Sequence, residues 1–444
     1  MNLLRDESRA LLCEDPRSIT HVIVIATKPD IIKQAPVYWE LRRRGELALI
    51  CHTGQHTDRS YSGAMLEEFD LPVDIELHIS GPLHHKTAQT IERFGDVLEV
   101  LHDLGKTPIP YVHGDTAAAM AVGVASYLQR VACVHVEAGI RTLTPRREIF
   151  EKLLSEHHSG ALDIDTYRAT LMQRDSFERG SMEPYPEQFN TRVAEAATGV
   201  HAAPVELVRN FLHEEGFSPE SVVVTGNTVV DATRRALADS QRATIFETYP
   251  QLADGGFVRV CIHRRENTAD RDRFVVLIDA IEHLLQAGVS VLFISLFGTE
   301  EALDRHAQRD RLERLVSLYP KSLIYSPVWP NYRDVIAAMR LCSAVATDSG
   351  SMQEEMTVLG IPCVTLRFGT DRPESVLAGA NLLAPPIDGS LVAAIIRGAV
   401  DNVKMASVGN IYGDNAAEQI VDAVLSRAFE GDGVFVDEVR RLDL

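Results

Sequence analysis

The stretch His21-Val-Ile-Val-Ile-Ala-Thr-Lys-Pro-Asp-Ile-Ile-Lys33 decides the fold class. Its first half is a short, continuous apolar run, the mark of a strand covered on both faces. Its second half opens a helix running to Arg43, with Pro29 preorganised near the start. The unit then recurs. Leu47 to His52, Ile109 to His113, Val131 to Val136 and Val222 to Thr225 read as further strands, and Thr116 to Gln129 as an Ala-rich helix. The rhythm restarts with Val258 to Ile262, Val291 to Ser295, Leu323 to Tyr325, Ala344 to Ala346 and Cys363 to Leu366. Short apolar strands alternating with helices predict an α/β chain with two doubly wound parallel sheets. The expected domains are 1–240, carrying an insertion at about 144–184, then 241–410. Residues 411–444 are expected as a helix packing back toward the first domain, followed by an acidic tail. Gln241–Gly256 is the expected connection, because it breaks the rhythm and contains Pro250, Gly255 and Gly256.

The chain has 444 residues and a net charge of −19, from 44 Lys+Arg against 63 Asp+Glu. That balance argues against nucleic acid or an anionic membrane as a partner, since both need a basic face. A small anion needs only a few local cations. Lys28, Lys33, His263, Arg264, Arg265, Arg367 and Arg372 all fall at expected strand ends, and binding of an anion is expected to depend on them. The six cysteines form no C-x-x-C pair and read as reduced, which suits a cytoplasmic protein. No apolar run approaches the roughly 18 residues of a spanning helix. The acidic N-terminus lacks the basic-then-apolar order of a signal peptide. Neither a P-loop nor a G-x-G-x-x-G motif is present, so neither a P-loop nor a standard dinucleotide site is expected, and adjacent His157 and His158 point apart on a helix, so no metal is expected there.

Doubly wound sheets place ligands outside the carboxyl ends of their strands, and the polar residues of this chain gather there. Thr27-Lys-Pro-Asp30 with Lys33 follows the first strand and suits an anion, or is simply a solvated helix start. His113-Gly-Asp-Thr116 offers Asp115 as a carboxylate at a strand tip, unless Asp115 or Thr116 merely caps. Glu137, in His135-Val-Glu-Ala-Gly139, is costly to bury unless used or paired, with Arg141 as the nearest partner in sequence. His263-Arg-Arg-Glu-Asn267 reads as a diphosphate clamp or a surface charge cluster. Thr347-Asp-Ser-Gly-Ser351 reads as an anion nest at a helix start, with Glu354 or Glu355 in reach of a ribose, or as a Ser351–Glu354 capping box.

Together these segments resemble the UDP-N-acetylglucosamine 2-epimerase family. The pieces that carry the resemblance are Lys28-Pro29, Thr53-Gly-Gln-His56, His113-Gly-Asp-Thr116, His135-Val-Glu-Ala-Gly-Ile-Arg-Thr142, Pro186-Glu187 with Asn190, Thr225-Gly-Asn-Thr-Val-Val-Asp231, His263-Arg-Arg-Glu-Asn267, Thr347-Asp-Ser-Gly350, Arg372-Pro-Glu374 and Tyr412-Gly-Asp414. The resemblance implies two Rossmann-like domains in a glycosyltransferase-B arrangement with an interdomain cleft, and a homodimer. It implies cofactor-free inversion at C2 of UDP-GlcNAc, giving UDP-ManNAc through a 2-acetamidoglucal. By position, Asp115, Glu137, Glu187 and His263 match the family's catalytic residues. His263 and Arg265 would stabilise the diphosphate, Ser349 and Gly350 would donate to phosphate, and Glu355 would hold the ribose. Lys28 and Arg372 would add positive charge or orient the sugar, with Lys33, Arg141 and Glu266 completing the substrate-binding set.

Several features depart from the family pattern. Lys28 and Asp30 stand where the family usually has Arg and Glu, and Gly350-Ser351 replaces Gly-Gly. Glu187 follows Glu137 by 50 residues because of the insertion, where the usual pattern has a short stretch. In bacterial members this neighbourhood and the Gly-Gln-His loop form a second site for activating substrate, so weakened or absent activation is expected here. Three other activities stay open at this level: a hydrolysing epimerase releasing ManNAc and UDP, a UDP-sugar transferase, and a non-catalytic UDP-sugar sensor.

Overall fold

A computed structural model describes residues 3–54 and 63–429. Gln55 and His56 of the Gly-Gln-His segment and the acidic tail over 430–444 lie outside the described residues. In chain order the strands are β1 (Ile19–Ile25), β2 (Ala48–His52), β3 (Val73–Glu76), β4 (Thr107–His113), β5 (Cys133–Val136), β6 (Thr144–Pro145), β7 (Phe177–Glu178), β8 (Thr198–Ala203) and β9 (Val222–Val224). They continue with β10 (Phe257–Cys261), β11 (Ser290–Ser295), β12 (Leu323–Pro327), β13 (Cys342–Thr347), β14 (Cys363–Thr365) and β15 (Asn381–Leu383). Two parallel sheets result, ordered β3-β2-β1-β4-β5-β8-β9 and β12-β11-β10-β13-β14-β15. Each is Rossmann-like. The first series winds outward from β1 and then resumes on its other side at β4; the second does the same at β10 and β13. Those are topological switch points, where adjacent crossovers diverge and leave a crevice.

The described residues divide into two compact units: those within 1–140, 186–232 and 412–444 form the first, and 141–185 with 233–411 the second. The inserted segment therefore belongs to the second unit, not the first as expected. The reason is packing. The Tyr167 hydroxyl donates to the Leu383 carbonyl at 2.9 Å, Arg168 Nε donates to the Gly379 carbonyl at 2.8 Å, and Ile164 presses on Gly398. The division also falls at Thr233 rather than within Gln241–Gly256. Helical turns Ile245–Thr248 and Pro250–Asp254 bury Ile245 and Leu252 in the second core. Asp334 fixes them by accepting from the Thr244 amide at 2.7 Å. Helix Ala416–Phe429 lies in the first unit, where helix Lys28–Arg43 packs against it.

Strand β1 is buried from Thr20 onward, as its unbroken apolar run requires. Helix Lys28–Arg43 starts in a reciprocal box, Thr27 with Asp30. No helix among the described residues is long and apolar enough to cross a membrane. Cys51, Cys133, Cys261, Cys342 and Cys363 are buried, Cys13 is exposed, and all are free thiols.

Candidate active site

In the first unit, the polar residues at the ends of β1, β4 and β5 form one buried network. Asp30 Oδ2 accepts from the Ala26 and Thr27 amides and the Thr27 hydroxyl, at 3.1, 2.8 and 2.9 Å. Its Oδ1 lies 2.8 Å from His113 Nδ1. The other imidazole nitrogen is 3.5 Å from Glu137 Oε2. That same Glu137 oxygen takes the Lys33 ammonium and, at 2.9 Å, the Asn227 side-chain amide. The Lys33 and Glu137 side chains are each 1% exposed. Glu137 thus meets Lys33, a partner 104 residues away in sequence. Its backbone lies at φ 63°, a conformation that non-glycine residues adopt only under constraint.

Residues without an assigned role in sequence hold this network together. Gly226 has φ +82°, and a Cβ there would stand 2.4 Å from the Tyr412 carbonyl, so only glycine fits. That carbonyl accepts from the Asn227 amide at 3.0 Å. The Thr225-Gly-Asn and Tyr412-Gly segments therefore serve to aim Asn227 at Glu137.

At the end of β4, Thr116 Oγ1 caps helix Ala117–Leu128, accepting from the Ala119 amide at 3.1 Å. Asp115 is left out of the cap, and its Oδ2 is buried with no hydrogen-bond partner among the described residues. The Asp115 carbonyl accepts from the Asn190 side chain at 3.0 Å. Asn190 lies in the first turn of helix Glu187–Ala196, so this bond ties the helix start that carries Glu187 to the Asp115 turn. Burial drives the His135 pKa down to about 4, so the ring is neutral and donates from Nε2 to the Gly114 carbonyl at 2.7 Å. Lys28 is half-buried at the start of its helix, and burial lowers its pKa to about 8.

His113 is buried, which opposes its charged form, but the Glu137 charge and the bonds to Asp30 and Glu137 prevail and raise its pKa to about 9. The group's folded pKa exceeds its ordinary 6.5. Its stabilising effect is therefore complete below pH 6.5 and lost as pH rises through about 9. Unfolding free energy is expected to fall across that window by up to about 1.4 kcal/mol per pH unit on this account. Lys28 acts in the opposite sense above pH 8, so the difference from His113→Gln isolates the histidine. Urea titrations at several pH values measure it; parallel profiles for the two proteins would contradict the network.

In the second unit, Asp348 organises the end of β10. It accepts from the His263 and Arg264 amides at 3.0 and 2.9 Å and from Asn267 Nδ2 at 3.0 Å, and lies 2.9 Å from His263 Nδ1. Burial opposes charge on His263, but the Asp348 carboxylate outweighs it and raises the pKa to about 10. His263 is an imidazolium at neutral pH, with Nε2 away from its anchor. Arg264 Nη2 is 3.9 Å from Asp371. Arg265 is exposed on the short helix Arg265–Thr268, and Glu266 Oε1 is 3.2 Å from Arg367 Nε.

Ser349 precedes helix Gly350–Leu359, whose N-terminus has no side-chain cap. Ser351 and Glu354 form no capping box. Arg372 Nε instead donates to Glu354 at 2.6 Å and its Nη1 to Asp371 Oδ2 at 3.1 Å. A Cβ at Gly350 would lie 3.1 Å from the Arg372 guanidinium carbon, so glycine admits the arginine to the helix start. Arg367 Nη1 donates to Asp371 Oδ1 at 2.6 Å. Burial would raise the Asp371 pKa, but Arg367, Arg372 and Arg264 hold it well below the usual carboxylate range. Glu355 accepts from the Tyr332 hydroxyl at 3.1 Å. Arg141 is buried at 2% exposure in the second unit.

Most of the expected cations are in ion pairs: Lys33, His263, Arg367 and Arg372 each sit against a carboxylate. What the second unit offers an anion is a helix N-terminus without a side-chain cap, beside an imidazolium. The first unit offers oriented carboxylates, with Asp115 Oδ2 still open to a proton. Among the described residues no group of three or more His, Cys, Asp or Glu is arranged to hold a metal.

Both sheets occur together in known proteins. The chain is 28% identical over 422 residues to the UDP-N-acetylglucosamine 2-epimerase of Neisseria meningitidis, covering 90% of this chain and 98% of that protein. It is 26% identical over 377 residues to the Methanocaldococcus jannaschii enzyme of the same name, covering 84% and 90%. The solved structure of the Methanocaldococcus jannaschii UDP-GlcNAc 2-epimerase in complex with UDP-GlcNAc and UDP superposes with a TM-score of 0.74 at 23% identity, over 92% of this chain and 99% of that one. The Neisseria meningitidis enzyme bound to UDP-GlcNAc gives 0.72 at 25% identity, over 92% and 100%. The family model for UDP-N-acetylglucosamine 2-epimerase matches residues 40–154 and 176–425, passing over the heart of the insertion. With every strand but β1, and the polar strand ends from β4 onward, inside that match, the chain belongs to the UDP-N-acetylglucosamine 2-epimerase family.

Proposed function

We propose that this chain interconverts UDP-GlcNAc and UDP-ManNAc without a cofactor. The observation that carries the reading is the buried, unpartnered Asp115 Oδ2 beside the helix start that bears Glu187. A C2–H bond is weakly acidic, so its removal needs a base held in place and a stabilised leaving group. Asp115 takes the C2 proton. The C–H electrons form the C1–C2 double bond as the C1–O bond to UDP breaks, leaving 2-acetamidoglucal. UDP then re-adds to C1 while a proton reaches the opposite face of C2. Glu137 and Glu187 are the further proton-handling groups, with the Lys33, His113 and Asn227 contacts fixing Glu137.

The His263 imidazolium and the amides at Ser349 and Gly350 stabilise the departing diphosphate. Glu355 and Tyr332 hold the ribose. Arg265 and Lys28 supply charge around the ligand, while Arg141, Glu266 and Arg372 shape its binding surface. A homodimer is part of this reading, from the resemblance, and so is a cytoplasmic location, supported by the free thiols.

Product balance tests the reading. UDP-GlcNAc incubated with the protein is expected to give UDP-ManNAc with only traces of free UDP. Stoichiometric UDP and free ManNAc would identify a hydrolase instead, and binding without any turnover would identify a sensor.

A further inference from the structure

The insertion has no counterpart over 155–175 in the family match, yet it does not stand away from the fold. Both of its ends close on the loop Arg367–Arg372. At the leading end, the Leu143 amide donates to the Thr370 carbonyl at 3.0 Å and the Thr370 amide donates back at 2.9 Å. A Cβ at Gly369 would strike Thr144 Oγ1 at 2.5 Å and the Leu143 carbonyl at 2.8 Å, so the two backbones touch. The Phe150 ring meets Phe368 edge-on, with centroids 5.9 Å apart. The Arg273 guanidinium lies 4.8 Å from the Phe368 centroid. Arg273 in turn pairs with Glu183 of the trailing end at 3.1 and 3.3 Å. Thr142 joins the two ends by donating to the Glu183 carbonyl at 2.6 Å. Phe368 is thus contacted by two groups that the insertion provides or holds.

The contacted loop is the one whose Asp371 and Arg372 line the helix start at Gly350, while Asp371 also faces Arg264 and Arg367 meets Glu266. A loop fixed before ligand arrives loses less conformational freedom on binding, and so binds more tightly. The distant part of the insertion supplies the rigidity, through Tyr167 and Arg168 on the carbonyls of Leu383 and Gly379.

We infer that the inserted segment is a positioning element for the nucleotide diphosphate, acting through Phe150 and Glu183 on the loop Arg367–Arg372. The inference rests on the reading of that loop as part of the UDP cradle. Phe150 and Glu183 are positioning residues and touch no reacting atom.

The test is calorimetric binding of UDP to the full chain, with steady-state kinetics on UDP-GlcNAc. Phe150→Ala is expected to raise Kd for UDP and KM about five- to tenfold, leaving kcat at saturation within about twofold. Phe150→Tyr, which keeps the ring, is expected to restore both. Glu183→Gln, at a half-exposed position that leaves the core untouched, is expected to raise Kd about two- to fivefold. Normal UDP affinity in Phe150→Ala and Glu183→Gln, beside a wild type that binds UDP, would overturn this inference alone. A wild type with no affinity for UDP would overturn the functional reading itself and this inference with it.

Discussion

Replacing Asp115 by Asn is expected to lower kcat about 10³-fold, within the 10² to 10⁴ that a positioned proton-transfer group supplies. Asn matches Asp in shape but cannot take a proton. The substitution keeps the Asp115 carbonyl that receives Asn190 at 3.0 Å, so the start of helix Glu187–Ala196 stays tied to the turn. It also leaves the Thr116 cap intact. Folding stability should therefore change little, and UDP affinity, which the proposed function assigns to the second unit, should not change at all. Steady-state kinetics beside calorimetric UDP binding measures this split. Near-normal turnover in Asp115→Asn would remove Asp115 as the base.

Glu137→Gln is expected to have the largest effect on stability. The Lys33 and Glu137 side chains are each 1% exposed, and they pair across 104 residues of sequence. Neutralising the carboxylate leaves a buried ammonium, and an imidazolium at His113, facing an amide. Breaking a buried pair from one side costs about 3–5 kcal/mol. The double variant Glu137→Gln/Lys33→Met removes the stranded charge as well and is expected to recover much of that loss. Urea denaturation of the three proteins at pH 7 measures both the loss and the recovery. If the single variant loses less than about 1 kcal/mol, the pair is not the buried one described. Activity should be lost in both variants, because Glu137 is gone in each.

The strand ends were legible in the sequence because a buried parallel strand is a continuous apolar run, and the residues just after it are forced to the ligand-facing edge of the sheet. That is why Asp115, Glu137, His263 and Ser349 were all located from sequence. Strands that lack such a run were not seen. Val73-Asp-Ile-Glu76 alternates at a sheet edge, Thr198-Gly-Val-His-Ala-Ala203 carries glycine and histidine, and Asn381-Leu-Leu383 has only three residues. Partner choice was the other blind spot. Charge clustering at strand ends marked cations for an anion but not their partners: Lys33, Arg367 and Arg372 are engaged by Glu137, Asp371 and Glu354. No local pattern encodes a pair formed across 104 residues. The same holds for the insertion. Its charge and helical pattern were visible, but the carbonyls of Gly379 and Leu383 that fix it in the second unit lie over 200 residues downstream. Asn227 stood inside a quoted motif, and only the geometry gave it a task.

The most direct test of the central claim is NMR of UDP-GlcNAc incubated with the protein in D₂O. The account predicts deuterium at C2 in both UDP-GlcNAc and the UDP-ManNAc formed from it, because the proton is exchanged with solvent while UDP is off the sugar. UDP-GlcNAc that keeps its C2 proton and its configuration would contradict it.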